Sequence, residues 1–239
     1  MNGGKYCYPN SNVLKNKYNI KDKELLEKLE IQKMTVKLLG LDIRPERIKP
    51  TLDTEHLTAI HKYLFEDIYQ WAGEFRSENL YKSERVLSGG SAEYADYHEI
   101  KNKLDKLFKD YKDILWSEVS DIGKEVSDFL LKLWSIHPFR EGNTRTCITF
   151  LWHYLKAQNI DFHVELLRKN PMYVRDSLVM ANYDEKKYLE KIISDAFINY
   201  SETEILQKNS DNTREEYQIT KSDYQAFKEK NSVKNKNYY

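Results

Sequence analysis

Few residues in this chain cross-link or interrupt it. Cys7 and Cys147 are the two cysteines among 239 residues, far apart and in no metal-spaced cluster. That excludes a disulfide scaffold and leaves two free thiols in a reducing compartment as the expectation. Glycine (8) and proline (5) are scarce, so long helices meet few breakers. No apolar run approaches the ~20 residues of a membrane span. The first residues, Met1 to Tyr8, hold no apolar signal core, so no cleavable leader is expected. A surplus of charge is missing too: Lys+Arg and Asp+Glu both number 38. Such balance offers no global reason to bind nucleic acid or a membrane, and neither partner is expected.

What is present is a helical composition, rich in Lys, Glu, Leu and Tyr, with 40% apolar residues to build a core. After an irregular start, the spacing of Leu25, Leu26, Leu29, Ile31, Met34, Val36, Leu38 and Leu39 predicts a first helix from about Lys23 to Leu41. Pro45 and Pro50 bracket a loop. Thr51 or Asp53 can cap a second helix carrying Leu57, Ile60, Leu64, Phe65 and Ile68. Residues 77–92 are polar, with Gly89-Gly90 and the alternation Arg85-Val86-Leu87, and read as a surface hairpin or flap. Further helices fit 93–116, 123–136, 143–158, 170–181 and 185–199. Beyond about Gln207 the pattern fades, which predicts disorder or a weak tail helix. The working division is an N-terminal arm and helix (1–50), a catalytic domain (51–200) and a polar tail, partly disordered (201–239).

The chemistry concentrates in His137-Pro138-Phe139-Arg140-Glu141-Gly142-Asn143-Thr144-Arg145-Thr146. Pro138 disfavours a helical conformation at His137, so the preceding helix should end there. The next helix starts at the far end of the loop, where free N–H groups and the dipole favour anions. Gly142 allows close backbone approach. Arg145 offers a fork for phosphate oxygens. Glu141 can hold a Mg²⁺ that bridges phosphates. His137 titrates near neutrality and can take a proton from an attacking hydroxyl. Each has a plainer reading alone: a helix end, a turn, a surface charge. Together they describe phosphoryl-type transfer. Elsewhere His56, His61 and His98 read as surface or packing residues, His153 and His163 lack metal spacing, and Trp71, Trp134 and Trp152 read as core.

The loop resembles the motif of the Fic family, His-Pro-Phe-x-Asp/Glu-Gly-Asn-Gly-Arg-x-x-Arg. Upstream, Asp67-Ile68-Tyr69-Gln70-Trp71-Ala72-Gly73-Glu74-Phe75-Arg76 resembles that family's Asp-Ile-Tyr-x-Trp-Ala-Gly-x-x-Arg entry to a flap. Asn19-Ile20-Lys21-Asp22 and its helix are similar to the arm of bacterial Fic toxins and effectors. The resemblance covers about residues 8–200. It implies an all-α fold, a Fic-type helical bundle with a short β-hairpin flap. It implies AMP transfer from ATP, with Mg²⁺, to a Ser, Thr or Tyr hydroxyl of a target protein. Carried over by position, His137 is the base and Phe139 the anchor of the loop. Glu141 binds Mg²⁺, and Gly142, Asn143, Thr144 and Arg145 bind the nucleotide. Tyr183 lies where the family contacts adenine, and the flap at Lys82, Arg85, Val86 and Leu87 aligns the target by strand addition.

Two positions depart from the motif: Thr144 stands for its second glycine and Ile148 for its second arginine. Doc toxins, which share both losses, act as protein kinases. A Doc-like kinase, a transferase of another nucleotide-derived group and a catalytically dead binding module are therefore the alternatives. The family's inhibitory pattern, Ser/Thr-x-x-x-Glu-Gly/Asn, has no counterpart beyond Thr51 and Glu55, which read as a helix start. That points to a separate small antitoxin rather than built-in inhibition. A cytoplasmic location, or export as an effector, is expected.

Overall fold

The computed structural model describes residues 5–197 and 217–236. They divide into two compact units interleaved along the chain. The first comprises Met1–Glu78, Asp96–Lys112 and His137–Tyr154, and the second Asn79–Ala95, Asp113–Ile136 and Leu155–Tyr239.

In the first unit, α1 (Lys23–Ile43) starts at Asp22, whose carboxylate accepts from Leu25 N at 2.8 Å. Helix α2 (Thr54–Phe65) starts at Asp53, which accepts from His56 N at 2.7 Å and settles the choice of cap. With α3 (Ile100–Tyr111) and the first turns of α5 (Asn143–Ala157), they close a core around Leu57, Ile60, Leu64, Leu104, Phe108, Phe150 and Leu151, all 4% exposed or less. The amphipathic reading of α1 fails in one respect. Leu26 and Leu41 are buried, but Leu25, Ile31, Val36, Leu39 and Ile43 face solvent, so its apolar residues divide between two faces. The arm before α1 is tied down by Lys17 N donating to Ile68 O at 2.8 Å and by the Tyr6 ring edge-on to Trp71 at 5.6 Å.

His56 takes the packing place that the sequence allowed it, and it meets His153. Both are 2% exposed, and their Nε2 and Nδ1 atoms lie 3.0 Å apart between α2 and α5. His153 Nε2 donates to Pro45 O at 2.7 Å, which leaves its Nδ1 to accept from His56 Nε2. The histidine pair thus joins α2, α5 and the loop at Pro45. The Phe150 ring lies 4.5 Å from His56.

In the second unit, α4 (Ile122–Ile136), α7 (Pro171–Ala181) and α8 (Lys187–Asp195) enclose Phe129, Leu130, Leu133, Trp134, Leu178, Leu189, Ile192 and Ile193. Helix α6 (Val164–Lys169) packs on α7 and α8. Helices α4 and α8 approach so closely at Gly123 that a Cβ there would meet Ser194. The tail contains α9 (Lys221–Lys236). Tyr217, Ile219 and Phe227 bury its apolar side, and Tyr224 OH donates to Asp176 Oδ2 at 2.7 Å. Residues 198–216, which include the first part of the tail where disorder was expected, lie outside the described residues.

The expected β-hairpin is not found. A single antiparallel bridge joins Ser83 and Ser91, and Arg85–Leu87 form a turn of 3-10 helix. Anchoring explains the difference. Glu84, 3% exposed, pairs with Arg175; Val86 is 1% exposed; Arg85 Nε donates to Asp176 at 2.7 Å. Three successive residues drawn to the packed helices cannot alternate as a strand. Arg85, Val86 and Leu87 thus lie in a turn rather than a strand, and Lys82 precedes it.

The buried His56 generates a pH dependence. Burial first, and then the neighbouring His153, lower its pKa to about 3, against an opposing pull from Asp53. A depressed histidine pKa means that the folded state refuses a proton that the unfolded chain accepts below about pH 6.5. Stability is unaffected above that pH and falls from there toward the folded pKa, by about 1.4 kcal/mol per pH unit for one proton. Urea titrations at pH 7 and 5 should show this loss, and His56→Gln, which keeps a donor toward His153, should shrink it by about one proton's worth.

Candidate active site

The loop 137–142 is built from the backbone outward. Helix α4 stops at Ile136, and His137 turns into the left-handed region with φ +50°. Few non-glycine residues adopt that conformation unless the surroundings enforce it. Arg76, 2% exposed, supplies the enforcement: its Nε donates to His137 O at 2.8 Å, and its backbone N donates to Pro138 O at 2.9 Å. Its Nη1 reaches Glu78 O at 2.9 Å.

The rest of the loop is clasped from within the first unit. Asn143, at the start of α5, accepts from Phe139 N at 2.9 Å and donates to Phe139 O at 2.7 Å. Its side chain thereby clasps the loop backbone. Phe139 is fully buried and stacks on His61, with centroids 3.8 Å apart and planes 7° apart. Gly142 has φ +79°, and a Cβ there would overlap the Phe65 ring. A core phenylalanine and a left-handed backbone together require glycine at this position.

Of the two places that the sequence allowed His61, surface or packing, the structure gives it packing. It is fully buried, and its Nδ1 accepts from Gly73 N at 2.8 Å, which leaves Nε2 to donate to Glu141 O at 3.1 Å. Burial lowers its pKa to about 4, partly opposed by that hydrogen bond, so the ring is neutral at pH 7. Glu141 then turns its carboxylate toward the start of α5. Oε1 accepts from Gly142 N at 2.8 Å and lies 3.5 Å from Arg145 Nη2.

Arg145 is more engaged than a waiting phosphate clamp. Nη1 pairs with Glu30 Oε2 of α1 at 3.1 Å, and the guanidinium lies 4.9 Å over the Phe65 ring. Glu30, 9% exposed, also accepts from Tyr69 OH. Glu30 carried no signal in the sequence, being one of several glutamates on a charged helix. The three charged groups open onto a cavity of about 320 Å³ within the first unit, lined also by Tyr69, Arg140, Lys23, Leu26, Glu27 and the arm residues Asn12–Leu14.

Of the loop residues singled out in the sequence, Glu141, Thr144 and Arg145 are partly exposed, while His137, Gly142 and Asn143 are buried. A hydroxyl can reach the His137 ring only when its surroundings open. Ile148 does not face the site as an uncharged surface; it is 6% exposed and belongs to the core, where an arginine would bury a charge. Lys82, Arg85, Val86, Leu87 and Tyr183 belong to the second unit. There Arg85 is held by Asp176 and Tyr224, and the Tyr183 ring lies edge-on to Phe227 at 6.2 Å.

Comparison with known proteins adds independent findings. The model of the Fic/DOC family matches residues 51–155. A probable protein adenylyltransferase of Sinorhizobium fredii, y4lH, is 35% identical over 151 residues, which cover 61% of this chain and 71% of that protein. A protein adenylyltransferase of Bartonella henselae is 30% identical over 191 residues, 75% of this chain but 35% of the relative. This chain thus spans about a third of the length of that larger protein. Among solved structures, the BepC effector protein of Bartonella tribocorum, with bound AMPPNP, superposes with a TM-score of 0.68 at 22% identity. The match covers 82% of this chain and 97% of that one.

The Phe65–Gly142 contact yields a double-mutant test. Gly142→Ala should be destabilising through its left-handed backbone, by ~1–2 kcal/mol, and through overpacking against Phe65, by a further ~1–3 kcal/mol. Adding Phe65→Leu should recover the second part but not the first. Chemical denaturation of the four proteins in the cycle measures both parts.

Proposed function

This chain belongs to the Fic/DOC family, and from that membership and the chemistry of its loop we propose that it is a protein adenylyltransferase. It transfers AMP from ATP to the hydroxyl of a Ser, Thr or Tyr side chain in a target protein. The hydroxyl oxygen bonds to the α-phosphorus, the bond to the β-phosphate oxygen breaks, pyrophosphate leaves, and His137 takes the hydroxyl proton. The observation that carries this reading is the juxtaposition of Glu141 and Arg145 at the N-terminus of α5, on a loop that Asn143 and Arg76 hold in place. Preorganised charge of this kind is the main protein contribution to phosphoryl-type transfer.

Arg145 and the N–H groups of the first turn of α5 bind phosphate oxygens in this reading. Incoming phosphates compete with Glu30 for Arg145, because both are anions within reach of one guanidinium. The residues fit a Mg²⁺ ion held in the usual way. Among the described residues no cluster of three or more His, Cys, Asp or Glu forms a protein-only metal site. Glu141 instead offers one carboxylate at a solvent-open cavity, and Mg²⁺ sites of this type complete their shell with phosphate oxygens and water. When bound, the ion neutralises phosphate charge. Contact of Tyr183 with adenine and docking of the target near Lys82–Leu87 remain part of the proposal and rest on the resemblance alone.

The target is a protein, and the proposal extends to restraint by a separate small antitoxin and to work in the cytoplasm, whether of the producing cell or, after export, of another. Among the described residues no helix is long and apolar enough to cross a membrane. One observation favours a second reading. With Ile148 in the core, no second motif arginine meets the terminal phosphates, as in a kinase-like transferase.

ATP labelled at the α or the γ phosphate separates the two. Incubation with bacterial lysate should transfer α label to protein and leave γ label in solution; the reverse pattern establishes the kinase reading. His137→Ala should lower α transfer by ~10²–10⁴-fold with an unchanged thermal melt. Undiminished transfer by a folded His137→Ala protein refutes the assignment of the base.

Chelation gives a second test. Excess EDTA should abolish transfer, and Glu141→Ala should raise the Mg²⁺ concentration needed for half-maximal rate. Full activity in chelator rules out the role given to Glu141.

A further inference from the structure

Helix α1 turns two faces outward from its axis in opposite chemical senses. The inner face carries Leu26, Glu30 and Leu41 into the first unit. The outer face carries Leu25, Val36, Leu39 and Ile43, which are 53%, 69%, 56% and 76% exposed. These four do not scatter. With half-buried Leu29 and exposed Gln32 they occupy every fourth and third position in alternation, 25, 29, 32, 36, 39 and 43. That is the seam of a coiled coil, sustained along the whole 21-residue helix, about 30 Å. Such a seam left in water is an unsatisfied association surface, because isolated exposed leucines are ordinary but an aligned row is not.

We propose that this seam pairs with the same seam of a second copy of the chain, the two α1 helices running antiparallel about a two-fold axis near Met34. The sequence is self-complementary in that arrangement. Leu25 faces Ile43 of the other copy, Leu29 faces Leu39, and Gln32 faces Val36, and each pairing recurs by symmetry. An isologous contact of this kind closes at two copies.

Charge selects the orientation. Flanking the seam are Lys28, Thr35 and Asp42 on one side and Leu26, Lys33 and Gly40 on the other. In an antiparallel pair Lys28 faces Asp42 of the other copy, twice, and Thr35 meets its own symmetry mate. In a parallel pair Lys28 would face Lys33 of the other copy, twice, with no compensating attraction. β-branched residues alternating with leucine are compatible with a parallel dimer, but two like-charge contacts oppose it. The antiparallel pair brings Lys33 near its own mate, and there the ammonium is already drawn aside over the Tyr18 ring at 5.6 Å. A single helix per copy falls short of the ~800 Å² per partner of a standard stable interface, so the dimer is expected to depend on concentration. Pairing would also brace the helix whose inner face presents Glu30 to Arg145.

Sedimentation equilibrium of the full chain over a wide concentration range tests this. The mass should rise toward twice the monomer value, and Val36→Lys with Leu39→Lys should hold the protein monomeric with an unchanged melt, since both side chains lie in solvent. Lys28→Glu or Asp42→Lys alone should raise the dissociation constant several-fold at low salt, and the two together should restore it. Thr35→Cys should form an oxidised dimer and Gln32→Cys should not, the two native cysteines being buried. A monomer at every concentration overturns the proposal, as does a dimer indifferent to the lysine pair. Crosslinking through Gln32→Cys but not Thr35→Cys overturns the antiparallel orientation.

Discussion

Arg76 is the side chain on which the geometry of the site depends. It is almost wholly buried and spends its donors on backbone carbonyls, one of them His137 O. A buried guanidinium without such partners is prohibitively costly, and a left-handed residue before proline is strained. Each cost is tolerable only because the other group answers it. The arrangement holds the His137–Pro138 corner in one conformation, and the clasp of Asn143 on Phe139 and the stack of Phe139 on His61 extend that order through the loop. Asn143 supplies part of this rigidity from within the motif, and Arg76, some sixty positions upstream, supplies the rest.

The same economy governs charge at the mouth of the cavity. Arg145 lies between Glu30 and Glu141, so its own charge is already met by carboxylates within the protein. A neutralised arginine is stable at rest and gives up its carboxylates only to a stronger anion, such as a phosphate accompanied by a divalent cation. The neutral His61 bears on this balance. Held between Gly73 N and Glu141 O, it fixes the backbone from which the Glu141 carboxylate projects without adding a charge of its own.

Where sequence reading went astray or left two outcomes open, packing between distant segments is involved in each case. Residues 77–92 alternate and carry a glycine pair, the local pattern of a hairpin, yet Glu84, Arg85 and Val86 are all drawn to partners far along the chain. For the tail, disorder and a weak helix were both open, and the burial of Tyr217, Ile219 and Phe227 accompanies the helix, α9. His56, His61 and His153 look like polar residues on amphipathic helices. Their burial is paid by one another and by backbone groups that no local window contains.

The sequence by itself determined the helical class, most helix positions and their caps, the family, and the loop that carries the chemistry. Those follow from short-range rules: periodicity, capping, the effect of Pro138 on His137, and a motif of fixed spacing. Only the tertiary structure decided that Gly142 makes room for Phe65, that Arg145 is shared by two glutamates, that Ile148 is core, and that α1 presents its heptad row to solvent. Each of these depends on which side chain from elsewhere in the chain arrives within a few ångströms. Contact energies are set at that distance, and no pattern confined to neighbouring residues encodes it.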